Sequence, residues 1–106
     1  MKIPPHQEQD IKDAILAIAN KYLDIKKYTI FFFGSRVSGT GGERSDVDIG
    51  IEGDTPIPLE IMAKIKDDIA ELPILHSIDI VDFGNVDDTF KQVAKESIEV
   101  LHKKNV

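Results

Sequence analysis

Two short segments decide the fold of this chain of 106 residues: Thr29-Ile-Phe-Phe-Phe-Gly-Ser35 and Asp46-Val-Asp-Ile-Gly-Ile51. The first is a dense run of β-branched and aromatic residues ended by a glycine, which predicts a buried strand. The second alternates apolar residues with aspartate or glycine, the period of two that is typical of a strand with two different faces. Both segments therefore belong to a sheet, and the acidic positions of the second project from one face.

Apolar residues at helical spacing flank these strands. Residues 7–23 and 59–72 each carry one apolar face, which predicts two amphipathic helices. Residues 77–83 predict a third strand, and a last helix follows, capped by Asp87 or Asp88. The apolar stripe of that helix is formed by Phe90, Ala94, Ile98 and Leu101. This order of elements predicts an α/β (α+β) domain, a small sheet of at least three strands flanked by helices.

Composition limits the classes of function. The length supports a single domain over residues 1–106. The chain has no cysteine, which excludes a disulfide framework and a thiolate zinc site. The N-terminus has no apolar signal region, and no apolar run approaches the ~20 residues that span a bilayer. We therefore expect a cytoplasmic protein with no membrane partner.

The negative charge is concentrated in the middle of the chain. Residues 28–90 hold 13 acidic and 4 basic residues, a net charge of −9, whereas the whole chain has a net charge of −6. Direct binding of nucleic acid is not expected, because the chain lacks a basic stripe that could follow a phosphate backbone. The central acids are then either a solvated surface or carboxylates that bind cations.

Asp46 and Asp48 are candidate metal ligands. Two residues apart on a strand, their side chains project from the same face about 7 Å apart. Their mutual repulsion becomes attraction when a divalent cation lies between them, and two-metal sites hold their ions about 3.5–4 Å apart. A solvent-facing edge strand explains the same tripeptide, so both interpretations stay open at this point.

Asp79 is a third candidate ligand because it interrupts the apolar run of the third strand. If it were buried without a partner, desolvation would protonate it at a cost of several kcal/mol. A cation shared with Asp46 and Asp48 would remove that penalty. Asp82 lies three residues further on and faces the opposite side of the strand, so we interpret it as a strand-end or turn residue.

Gly34 and Ser35 directly follow the first strand. A glycine there lets the backbone approach a ligand closely, and Ser35 can cap a short helix whose free N–H groups suit a phosphate. The chain has no Gly-Lys-Ser/Thr of a P-loop, and the segment Gly34 to Gly39 lacks the middle glycine of the dinucleotide fingerprint. An ordinary strand-to-helix turn explains Gly34-Ser35 equally well.

The combination of these features is more specific than its parts. Gly34-Ser35, followed after ten residues by Asp46-x-Asp48 and later by Asp79, resembles the nucleotidyltransferase superfamily, whose fold is shared with the palm of DNA polymerase beta. More narrowly, the chain is similar to the minimal nucleotidyltransferases (MNT domains). These are short single-domain proteins, antitoxin-type partners of helical HEPN-domain proteins. The resemblance extends from about Tyr28 through Phe90 and implies a small mixed sheet.

The resemblance implies a role for each matching residue. The implied catalytic residues and ligands of two Mg²⁺ ions, with Mn²⁺ as an alternative, are Asp46, Asp48 and Asp79. Asp79 would also help to deprotonate the attacking hydroxyl group. The implied nucleotide-binding residues, with ATP as the substrate, are Gly34, Ser35, Arg36 and Ser45. The family's common Gly-Ser-x-Ala-Arg-Gly stretch reads Gly-Ser-Arg-Val-Ser-Gly here, so Ser38 occupies the usual basic position.

The implied activity is Mg-dependent transfer of AMP, or another NMP, from a nucleoside triphosphate to a protein acceptor. The expected acceptor is a HEPN toxin, which the chain would neutralise as the antitoxin of a toxin–antitoxin pair. Because 106 residues leave no space for an acceptor-binding domain, the acceptor is expected to be a separate chain. Two alternatives stay open: a non-catalytic subunit that neutralises or scaffolds a helical partner, and a nucleotide sensor without turnover. A homo- or hetero-oligomer is compatible with each.

Overall fold

A four-stranded mixed sheet forms the centre of the structure, a computed structural model that describes residues 5–33, 47–73, 77–96 and 98–104. Its strands are β1 (Tyr28–Phe33), β2 (Val47–Gly53), β3 (Ile78–Asp82) and β4 (Ile98–His102). The spatial order is β3-β2-β1-β4. β1 pairs antiparallel with β2 and with β4, and β2 pairs parallel with β3. The predicted mixed α/β sheet is thereby confirmed.

Three α-helices accompany the sheet: α1 (Pro5–Tyr22), α2 (Leu59–Ala70) and α3 (Asp88–Ala94). α1 and α2 cover one face, which we call the helix-covered face, and their apolar stripes bury the main core against it. That core includes Ile11, Ile15, Ile30, Phe32, Ile49, Ile51, Ile65 and Ile69. None of the helices in the described part of the chain is long and apolar enough to cross a membrane.

A hydrogen-bonded contact between α1 and α2 reinforces this packing. The Tyr22 hydroxyl donates to Asp68 Oδ2 at 2.9 Å, and Lys21 Nζ lies 3.2 Å from the same oxygen. The hydrogen bonds from Tyr22 and Lys21 lower the pKa of the Asp68 carboxyl below its usual value. The anionic form of Asp68 is therefore the one that holds the two helices in register.

The opposite face of the sheet carries a second, aromatic core. Because side chains alternate along a strand, the run of three phenylalanines divides: Phe32 enters the main core, and Phe31 and Phe33 point the other way. There they meet Phe83, with ring centroids 4.8 Å from Phe31 and 5.1 Å from Phe33. Phe90 of α3 adds a fourth ring, 6.2 Å from Phe33 and 41% exposed. We refer to these four residues as the aromatic cluster.

The predicted last helix is wrong in its second half. α3 ends at Ala94, and residues 98–102, including Ile98 and Leu101, form β4 instead. Apolar residues at positions 90, 94, 98 and 101 mimic helical spacing, but the outer edge of β1 offers a ladder of backbone hydrogen bonds to the β-branched segment. Ile98 pairs with Phe33 and Val100 with Phe31. This long-range pairing overrides the local pattern.

Asp82 is the turn residue that the sequence predicts. Its carboxylate accepts hydrogen bonds from the Ile57 amide at 2.7 Å and from the Gly84 amide at 2.9 Å. One acidic side chain thus ties the connection between β2 and α2 to the turn that follows β3.

We expect Asp82→Ala to lower the free energy of unfolding by about 1–3 kcal/mol, because two partly buried N–H groups lose their acceptor. Urea denaturation measures this loss. Asp54→Ala is the control, since the Asp54 side chain is 92% exposed and should change stability by less than about 0.5 kcal/mol. Equal midpoints for the two variants would contradict the role of Asp82, and Asp82→Asn, which keeps one acceptor oxygen, should recover part of the loss.

Candidate active site

Two carboxylates lie side by side on neighbouring strands. Asp48 of β2 and Asp79 of β3 are direct partners in the parallel register, and the strands of a sheet lie about 4.7–4.9 Å apart. The residues that follow them, Ile49 and Ile80, belong to the main core on the helix-covered face. Because side chains alternate, both carboxylates project from the opposite face, which we call the open face.

The surroundings of the two carboxylates differ. Asp48 is half-buried between Asp79 on one side and Phe33 on the other, whereas Asp79 is exposed on the outer strand. Because Asp79 is exposed, it does not incur the desolvation penalty that burial would impose. Burial of Asp79 is therefore no reason to expect a cation here. The remaining reason is the close approach of two like charges on one face, whose mutual repulsion a divalent cation would offset.

The chemistry of the pair fits a hard divalent cation. Carboxylate oxygens are the ligands that Mg²⁺ and Mn²⁺ prefer, and Mg²⁺ is commonly bound through one or two of them. No group of three or more potential ligands is found within the described residues. A third carboxylate would therefore come from elsewhere, and Asp46, two residues before Asp48 in the sequence, lies outside the described residues. So do the predicted nucleotide-binding residues Gly34, Ser35, Arg36 and Ser45, together with Ser38.

The register that brings the two carboxylates together is set by the apolar positions of β2. Val47, Ile49 and Ile51 are fully buried, and a slip of one residue would move them to the open face. The Val47 amide also donates to the Ser77 carbonyl at 2.8 Å, which fixes the start of the parallel pairing. The alternation that predicts the strand therefore also positions Asp48.

The second acid of β2 on the open face is paired with lysines. Glu52 lies four residues after Asp48, and its carboxylate binds Lys95 at 2.5 Å and Lys91 at 3.9 Å. Both lysines belong to α3 or the turn after it, so these ion pairs fasten α3 beside the aromatic cluster.

Two grooves run along the outer side of β3. One has a volume of about 400 Å³ and lies towards the end of α2, with Ile69, Leu72 and Ile78 in its wall. The other has a volume of about 320 Å³ and includes Leu59 and Met62. Lys66 and Asp79 line both grooves. Sequence reasoning missed Lys66, because an isolated lysine on the polar side of an amphipathic helix carries no signal of its own.

Comparison with known proteins defines the class to which this fold and site belong. The family described as "Polymerase beta, Nucleotidyltransferase" matches residues 13–106, so the chain belongs to this family of nucleotidyltransferases. Among characterised relatives, it is similar to the "Probable protein adenylyltransferase MntA" of Haemophilus influenzae. The two are 28% identical over 97 residues, which cover 90% of this chain and 85% of the relative.

Solved structures support the same fold. A toxin–antitoxin structure with AMP-PNP superposes with a TM-score of 0.68 at 20% identity, covering 85% of this chain and 71% of that one. A second structure, a tri-AMPylated Shewanella oneidensis HEPN toxin in complex with MNT antitoxin, superposes with a TM-score of 0.63 at 17% identity. That match covers 88% of this chain and 70% of the other. The predicted nucleotidyltransferase fold and the resemblance to minimal nucleotidyltransferases are confirmed.

Proposed function

We propose that this chain transfers AMP from ATP to a protein acceptor, and that the acceptor is a helical HEPN-type toxin which the chain neutralises. The observation that carries this proposal is the direct pairing of Asp48 with Asp79 on the open face of the sheet. The likeness to a protein adenylyltransferase and to antitoxins in complexes supports the choice of acceptor and donor.

The proposed reaction is a displacement at the α-phosphate. An acceptor hydroxyl oxygen forms a bond to the α-phosphorus, the bond between the α- and β-phosphates breaks, and pyrophosphate leaves. The hydroxyl proton passes to the carboxylate of Asp79, which is exposed and can release it to water. Asp48, Asp79 and Asp46 would hold Mg²⁺, which stabilises the negative charge that develops on the phosphate oxygens. Gly34, Ser35, Arg36 and Ser45 would bind the triphosphate.

A non-catalytic binding subunit is the second candidate function. The observation that favours it is an exposed apolar patch on α3 and β4, where Val93 is 63%, Val100 48% and Ile98 37% exposed. Exposed apolar residues of this size commonly mark a contact with another protein. Such a contact could neutralise a partner without any chemistry.

Incubation of the chain and its HEPN-type partner with ATP labelled at the α-phosphate, in Mg²⁺ or Mn²⁺, separates the two candidates. We expect label on the partner and a mass increase of the intact partner by whole AMP units. If the complex forms but neither metal gives label, the binding subunit is the correct function and the transferase proposal is wrong.

A further inference from the structure

The outer edge of β3 has backbone groups that face away from the sheet. The Val47 amide donates to the Ser77 carbonyl, which therefore points towards β2. Backbone groups alternate sides along a strand, so those of Asp79 and Val81 also point towards β2, and those of Ile78 and Ile80 point outward. β3 is the outermost strand on this side of the described sheet. Its outward N–H and C=O groups are a template for one more strand.

The residues of β3 do little to block such pairing. Edge strands are usually protected by charged side chains, above all lysine, by proline or by a bulge; β3 reads Ile-Asp-Ile-Val-Asp and has two acids but no lysine, proline or bulge. The grooves of about 400 and 320 Å³ beside it fall within the volumes of binding clefts, roughly 300–1,000 Å³. The smaller groove is lined mainly by apolar atoms, and the larger one by polar and apolar atoms together. Lys66, the basic residue in both, has no ion pair with any residue that the structure describes.

We propose that the acceptor protein binds as an extended segment that adds a strand to the outer edge of β3. The inference rests on the proposed function and identifies how the protein substrate is held. In an added strand, the residue directly opposite Asp79 points to the open face, and its neighbours point towards α2. A Tyr, Ser or Thr at the opposite position places its hydroxyl beside the Asp79 carboxylate.

The same alternation defines the chemistry of the rest of the segment. The neighbours of the hydroxyl residue enter the groove lined by Ile69, Leu72 and Ile78 together with Lys66 and Ser77, which suits side chains with both apolar and polar atoms. Lys66 lines the groove without an ion pair to any described residue, which favours an acidic residue at one end of the segment. The occupant is therefore an extended stretch of the acceptor that carries a hydroxyl residue and, near it, a carboxylate.

Amide hydrogen exchange tests the docking without relying on turnover. The chain carrying Asp48→Asn is mixed with the HEPN-type partner protein, so that the complex forms and no transfer follows. We expect exchange of the Ile78 and Ile80 amides to slow by about tenfold or more, with no comparable change in β4. Protection confined to β4, or protection of β3 that rises with the concentration of the chain alone, would overturn the proposal.

Steady-state labelling of the partner provides the second measurement. Lys66→Glu should raise the KM for the partner by about tenfold and leave the KM for ATP unchanged. The matched control is Lys64→Glu, an exposed position on the same helix that lines neither groove and should change neither constant. Ile78→Pro removes one outward amide N–H. The ratio of its KM for the partner to that of Ile78→Ala isolates the contribution of this backbone hydrogen bond to partner binding.

The outcomes for docking and for function are distinguishable. If both Lys66→Glu and Ile78→Pro transfer label with an unchanged KM for the partner, the proposed docking at β3 is wrong and the transferase function is unaffected. Protection of Ile78 and Ile80 without any label from the wild-type chain would support the docking and contradict the transferase function.

Discussion

Asp48→Asn and Asp79→Asn should each lower the rate of nucleotidyl transfer by roughly 10²–10⁴-fold, the range for loss of a positioned catalytic group. Each substitution keeps the size of the side chain and removes one of the two charges that lie side by side. Without its charge Asp48 loses its capacity to hold a cation, and Asp79 loses in addition its capacity to accept the proton. The rate of label transfer to the partner protein is the measurement.

The substitution of Asp79 should not lower thermal stability as it lowers the rate of transfer. Asp79→Asn removes one of two adjacent like charges at an exposed position, so the melting temperature of this variant in the absence of divalent cations should stay level or rise. Added Mg²⁺ should stabilise the wild-type chain more than either variant. Asp54→Asn is the control, because this exposed acid at the end of β2 should alter neither rate nor melting temperature. Full activity in either active-site variant would exclude the assigned roles.

Gly50→Ala should destabilise the fold by about 1–3 kcal/mol or more, the usual cost of overpacking a filled core. A Cβ atom at this position would lie 2.5 Å from Phe31 Cζ and 2.6 Å from Phe83 Cε1. Both rings belong to the aromatic cluster and are almost fully buried, so neither can move aside without disturbing the other. For a domain of this size, each kcal/mol lowers the melting temperature by roughly 4–8 °C.

A double-mutant cycle tests whether the clash with Phe31, rather than any substitution at Gly50, causes the loss of stability. Phe31→Leu alone should also destabilise, because it removes part of a buried ring. Combined with Gly50→Ala, it frees the space that the new methyl group needs, so the double variant should lose less stability than the sum of the two single variants. Additive losses would mean that the clash with Phe31 is not the cause.

The sequence predicts most of the sheet because its central strands have patterns that tertiary contacts reinforce. β1, β2 and β3 coincide closely with residues 29–33, 46–51 and 77–83, and the alternation in β2 also predicts the face on which Asp48 lies. The pairing of Asp48 with Asp79 needs one further fact, the register of two strands separated by a helix, which no local pattern contains. The structure supplies that register through the buried residues of β2.

Two features of the structure are not contained in the local sequence. The sequence of β4 resembles the continuation of a helix because its apolar residues follow Phe90 and Ala94 at three- and four-residue steps. It forms a strand because it pairs with the edge of β1, which lies more than 60 residues earlier in the chain. Asp79 is exposed because β3 is an outer strand of the described sheet, and the sequence of a strand does not determine its position in the strand order. The predicted roles of Asp46 and of the Gly34-Ser35 turn stay predictions.

The position of β4 has a consequence for synthesis on the ribosome. β1 is an inner strand, and its partner on one side is β4, which is translated after the other three strands of the described sheet. Until that segment emerges, the Ile30–Phe33 edge of a nascent chain presents unpaired backbone beside three phenylalanines, the kind of surface that chaperones bind and that misassembles when crowded. Pairing of β4 with β1 therefore determines when this edge stops being available for pairing with other chains.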